Sequence, residues 1–238
     1  MSDIYTLTFI NNSNNNWDFC CYQQDPNIKI PGVMSLAWFA FPVAPTTVVS
    51  FSWEINYQFV WSQMGQLAAG VKFSASQKWD ADLSRNNSID FTRKPNKAFT
   101  FQNPMSAGVP GTLFINQDET IPDNTAAVGI NMSILGAPIG AGSGTFVVPA
   151  QPNITASFSP HPTYWVTFGQ FTPGQVLDTQ QISKKAEVAF PVNVYDMVAI
   201  LGPDNKWKVT STQALNQAFL ASGDKYAHAL LLDYDLVK

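Results

Sequence analysis

Twenty-five residues in the first third of the chain return 107 positions later without a gap. Residues 39–63 lie over 146–170 with eight identities, at Phe39, Pro42, Pro45, Ser50, Phe51, Ser52, Tyr57 and Gln63. Average residue usage would supply about one or two such matches. Self-similarity at so long a period predicts one structural unit made twice. Shorter matches keep the same order. TFIN at 8–11 returns as LFIN at 113–116, and IDF at 89–91 as VAF at 188–190, with Pro104 over Pro203. The chain of 238 residues therefore divides into a first repeat over 1–105, a second over 106–210 and a closing segment over 211–238. Repeats of that size can each bury a core.

The repeat is β in character. In SFSWEINYQFVW, at 50–61, Phe51, Trp53, Ile55, Tyr57, Phe59 and Trp61 share one parity, while polar side chains dominate the other. Such alternation predicts a half-buried strand with an aromatic face. Pro160 and Pro162 replace Trp53 and Ile55 in the second copy. Proline cannot donate to a ladder, so a bend with two strands meeting is expected there. Further strands are expected over 5–11, 19–23, 36–41, 88–91, 98–101, 112–116, 127–132, 145–148, 153–158, 164–168, 187–190 and 197–201, punctuated by Pro, Gly and Asn. The reading is all-β: two pseudo-symmetric antiparallel β-sandwich units from an internal duplication. One short C-terminal helix, capped by Ser211 or Thr212 with a Leu215, Ala218 and Phe219 stripe, precedes a closing strand over 226–237.

Charged residues make up 13% of the chain, about half the usual share, and the net charge is −4. Thirteen scattered basic residues do not make a phosphate-binding face, so no nucleic-acid partner is expected. The longest apolar run, at 36–44, is too short to span a bilayer. The opening residues lack the basic and apolar regions of a secretory leader. Cys20 and Cys21 are adjacent and in a strand would point to opposite faces, so neither a disulfide between them nor a secreted framework is expected. These features predict a cytoplasmic protein, and its aromatic-rich, weakly charged surface makes a homodimer reasonable.

Chemistry is sparse. The two histidines, His161 and His228, have no His or Cys neighbour in sequence, and no nucleophile elbow occurs. Asp80 with Asp82, and Asp118 with Glu119, offer oxygen ligands for a divalent cation or an acid pair, but aspartate also serves turns of this kind. Aromatic side chains are the remaining signal. Trp38, Trp53, Tyr57, Trp61, His161, Tyr164 and Trp165 are the candidate ligand-binding residues. Trp165 stands out because it lies over the polar-side Gln58.

The runs YTLTFINNS, YQQDPNI, MSLAWFAFP, FSWEINYQFVWS and FSASQKWDADL resemble the RhiA-type family of rhizosphere-expressed bacterial proteins, as do FSPHPTYWVTFGQF and AFPVNVYDMVAIL. The resemblance covers most of the chain up to about residue 210. It implies a cytoplasmic protein without an established activity and transfers no site. In size and composition, though in no motif, the chain is also similar to the pink chromoprotein of oyster mushrooms, which carries a small aromatic chromophore. The expected function is non-enzymatic binding of a small, flat, largely apolar molecule, a pigment being one candidate, in an aromatic pocket. A lectin-like or cell-surface-binding defence protein or toxin is the alternative, favoured by a neutral polar surface with aromatics.

Overall fold

The computed structural model describes residues 3–24, 32–64, 66–160 and 163–222. Sixteen strands follow in order: β1 (Ile4–Asn11), β2 (Trp17–Gln24), β3 (Met34–Ser35), β4 (Phe39–Val43), β5 (Val48–Ser62), β6 (Gln77–Ala81), β7 (Ser88–Arg93), β8 (Phe99–Met105), β9 (Leu113–Gln117), β10 (Ala127–Ile134), β11 (Phe146–Pro149), β12 (Ile154–Phe158), β13 (Thr163–Gly169), β14 (Lys185–Val188), β15 (Asp196–Leu201) and β16 (Trp207–Ser211). Helix α1 (Thr212–Ser222) ends the described chain. Its first turn is capped as expected, with the Ala214 N–H donating to Ser211 Oγ at 3.1 Å. Leu215 buries against Val198. The anticipated strand over 226–237 lies outside the described residues.

One sheet of eight strands runs β16-β15-β1-β5-β10-β11-β3, with β6 paired to the second half of β5. Two four-stranded sheets, β12-β9-β7-β8 and β14-β13-β2-β4, complete the fold. Each of the three draws strands from both halves of the chain. Their apolar faces meet in one buried cluster that includes Leu7, Phe9 and Trp53 from the large sheet, Ile115 and Phe158 from one small sheet, and Phe19 and Val166 from the other. The repeats are therefore interlocked.

Exchanging the halves leaves the pairing map unchanged. The ladder β1–β5 becomes β9–β12, β2–β4 becomes β10–β11, and β7–β8 becomes β15–β16. The cross-repeat ladder β10–β5 becomes β2–β13, and the parallel pair β1–β15 becomes β9–β7. Register follows too. Leu7 faces Phe51 as Leu113 faces Phe158, and Tyr57 faces Met132 as Tyr164 faces Gln23. Even the turns match: Thr46 and Asn153, 107 apart, both adopt positive φ, 65° and 56°.

The halves differ most where Pro160 and Pro162 stand. In the first repeat β5 is a continuous strand of 15 residues. In the second, the same stretch is cut into β12 and β13, because two prolines remove ladder donors. One eight-stranded sheet is thereby answered by two sheets of four.

Three details depart from the sequence reading. The TFIN match is off by one: buried Leu7 and Phe9 correspond in the ladders to buried Leu113 and Ile115, whereas Phe114 is only partly buried. A slip of one residue turns every side chain to the other face, so burial decides the alignment over local identity. The IDF and VAF segments are not equivalent, since the hairpin matching β7–β8 is β15–β16. Strands β3, β6 and β16 lie outside the expected strands; each is short, and Trp79 is the one large apolar residue of β6.

Candidate functional site

Where β5 and β13 run beside their cross-repeat partners, a surface cleft of about 540 Å³ opens, within the range of small-molecule sites. Tyr57 and Tyr164, equivalent in the two repeats, both line it. So do Leu83 and Phe190, also 107 apart. The cleft thus lies on the approximate twofold axis relating the halves. Among the described residues, Tyr5, Ile55, Pro160, Thr163, Glu187, Val188 and Ala189 also line it.

The rings are held by one another. Tyr5 sits opposite Trp53 in the β1–β5 ladder and stacks on it at 5.9 Å between centroids. Phe190 meets Tyr5, Trp53 and Tyr164 edge-on at 5.3, 5.6 and 5.6 Å. These are favourable quadrupole geometries. Behind the wall, Trp53 Nε1 donates to Tyr164 Oη at 3.2 Å, and that hydroxyl approaches Met132 Sδ at 3.7 Å. Burial pushes the Tyr164 hydroxyl well above the usual phenol range, against the opposing effect of the Trp53 hydrogen bond, so it stays neutral.

Local sequence explains why the space exists. The partner of Trp53 in the second repeat is Pro160, and that of Tyr5, by the β1–β9 register, is Gly111. One repeat fills its side of the axis with stacked rings. The other has neither ring.

The seven candidate residues are not gathered in one place. Tyr57 and Tyr164 line the cleft, and Trp53, fully buried, forms its backing. Trp38 is also fully buried, with Nε1 donating to the Met132 carbonyl at 2.6 Å, and packs edge-on against Trp53 at 5.1 Å; it is core. Trp61 lies at the other end of β5, against Phe91 and Phe99, with Nε1 donating to Gln77 Oε1 at 2.8 Å. Trp165 faces the outer side of its sheet beside Cys20 and Tyr22, with Lys185 Nζ 5.1 Å above its ring. His161 lies outside the described residues. Tyr5 and Phe190 were missed. Tyr5 shares the parity of Leu7 and Phe9, so its inward direction could have been found, but its position beside Trp53 depends on a pairing register.

The acidic turns act locally. Asp82 Oδ1 accepts from Ser84 N, Ser84 Oγ and Arg85 N at 2.7, 2.6 and 3.0 Å, while Asp80 Oδ1 accepts from Gln58 Nε2 at 3.0 Å. Asp118 Oδ1 accepts from the Thr120 N–H at 2.9 Å. Among the described residues no three His, Cys, Asp or Glu side chains gather as a metal site. Cys20 and Cys21 are free and buried on opposite faces, as their adjacency predicts, and burial raises both thiols far above their ordinary range. No helix among the described residues is long and apolar enough to cross a membrane.

The fold and cleft define an all-β protein of two interlocked repeats with an aromatic opening on their shared axis. The RhiA family model matches residues 2–212. The chain is 36% identical over 208 residues to "Protein RhiA" of Rhizobium leguminosarum bv. viciae, covering 86% of this chain and 85% of that protein. It belongs to the RhiA family. No solved structure matches it.

Proposed function

We propose that the protein binds, without transforming it, a small, flat, largely apolar molecule in the axial cleft. One observation carries the reading: Tyr5, Tyr57, Tyr164 and Phe190 converge on an opening of about 540 Å³. Such rings offer area at low entropic cost because each has only two side-chain torsions. Tyr5, Tyr164 and Phe190 are already held by ring contacts with Trp53 and one another, so little ordering of them is needed on binding.

The test has two arms. Native protein is examined for absorbance beyond the Trp and Tyr band and, by native mass spectrometry, for a co-purifying molecule. In parallel, Pro160→Trp places a ring where the first repeat has Trp53. The native protein is expected to carry a bound species or to bind flat aromatic probes at micromolar concentrations. Pro160→Trp should lose that binding while remaining folded by circular dichroism. A wild-type protein that carries nothing and binds no flat probe overturns the reading, as does a folded Pro160→Trp protein that binds like wild type.

A further inference from the structure

We infer that the connection over 106–112 is a clasp that keeps both repeats of one chain in one molecule, and that two copies exchange halves when it opens. Among the described residues five ladders join the halves: β5–β10, β2–β13, β1–β15, β7–β9 and β3–β11. The largest core cluster likewise takes side chains from both. None of these contacts depends on the halves belonging to one chain. A first half set against the second half of another copy recovers every ladder, which is the condition for exchanging identical elements. Each axial cleft then takes Tyr5 and Tyr57 from one copy and Tyr164 and Phe190 from the other.

The connection alone separates the two arrangements. It leaves β8 at Met105, opposite Ser88, rounds the start of β7 and enters β9, where Phe114 faces the same Ser88. Its residues are exposed from Ser106 to Pro110 and form neither strand nor helix. One buried side chain ties it down. Asn87, 1% exposed, donates through Nδ2 to the Val109 and Thr112 carbonyls at 2.8 and 2.9 Å, and its Oδ1 accepts from the Ala107 N–H at 2.8 Å. Both amide donors are thus spent on the connection. The Gly111 N–H adds a bond to the Leu83 carbonyl at 3.0 Å, and Gly108 and Gly111 take positive φ, 70° and 82°, along the tight path. A connection drawn out to a second molecule gives up this path. Closure within one chain also enjoys a high effective concentration, so exchange awaits release of the clasp.

The test uses the full chain carrying Gln24→Cys and Thr163→Cys, ladder partners from opposite halves, as a reporter. Their disulfide forms within a chain when the halves stay together and between chains when they are exchanged. Deleting 107–111 leaves two residues between β8 and β9, a reach of roughly 10 Å that crosses two strand spacings with nothing left to round β7. This variant is expected to be a dimer by native mass spectrometry and a disulfide-linked pair on a non-reducing gel, whereas the intact chain stays monomeric. Asn87→Ala, refolded from urea alongside wild type, should raise the dimer fraction about tenfold. A folded monomeric deletion variant overturns the inference, as does a dimer whose disulfides lie within chains. A deletion variant that fails to fold overturns it too, since exchange offers that chain every ladder. So does an Asn87→Ala protein no more dimeric than wild type.

Discussion

β5 and its counterpart β12–β13 derive from the same repeated stretch, yet one is a continuous strand and the other is severed. Around the cut almost everything else is retained: neighbours, ladder sense and register. The difference is confined to a few side chains near the axis, with Trp53 against Pro160 and Tyr5 against Gly111. A symmetric pair of intact strands would bring the same rings in from both sides. Breaking one copy leaves the Tyr5–Trp53 stack without a counterpart, beside a cleft that Tyr57, Tyr164 and Phe190 also line. Duplication thus supplies a rigid frame, and departure from symmetry supplies a place to bind.

If that account holds, the two sides should respond unequally to mutation. Trp53→Ala should be the most damaging change, lowering stability to urea by about 3–5 kcal/mol, because it empties a fully buried site and strips ring contacts from Trp38, Phe51, Tyr5 and Phe190. Pro160→Ala, at the equivalent position, should cost less than half as much. Equal losses at the two positions would mean that the second repeat depends on its break as heavily as the first depends on its ring, and the comparison would collapse.

Tyr164→Phe addresses the bond that joins the repeats behind the cleft. Removing the hydroxyl leaves the buried Trp53 Nε1–H without its acceptor, at a cost of about 1–3 kcal/mol. The ring stays, so binding of a flat probe should change less than stability does. Urea denaturation and a probe titration on one sample read both. Unchanged stability would show that the Trp53 donor is satisfied without Tyr164.

Much of this was legible in the sequence because the repeat is strongest over 39–63, which spans β4 and β5. Alternation in that stretch identified the aromatic face, and the prolines over Trp53 and Ile55 located the break. What stayed hidden was arrangement across the halves. Periodicity sends Trp38, Trp53 and Trp61 inward alike, but only the opposing strands determine that Trp53 backs a cleft while Trp61 meets Phe91 and Phe99. Tyr5 on β1 and Phe190 just past β14 lie far apart in sequence, and nothing local says that their rings touch. Trp165 broke the alternation for a simpler reason, since it packs on the outer face of its own sheet.

The subtlest test of equivalence lies in the turns. Thr46 and Asn153 occupy matching left-handed positions, and their N–H groups donate to the Asn11 and Asp118 carbonyls at 2.7 and 3.4 Å. Left-handed backbone costs an ordinary L-residue roughly 1–2 kcal/mol, whereas asparagine tolerates it through local hydrogen bonding. A β-branched residue is the poorer occupant, so the first repeat is strained here and the second is relaxed. Thr46→Asn should therefore stabilise the protein by up to about 1 kcal/mol, and Asn153→Thr should destabilise it by a similar amount. The double exchange should return the midpoint of urea unfolding close to wild type, because well-separated sites add. Changes of the same sign at the two positions would show that the turns do not share one conformational role, even though they share one place in the repeat.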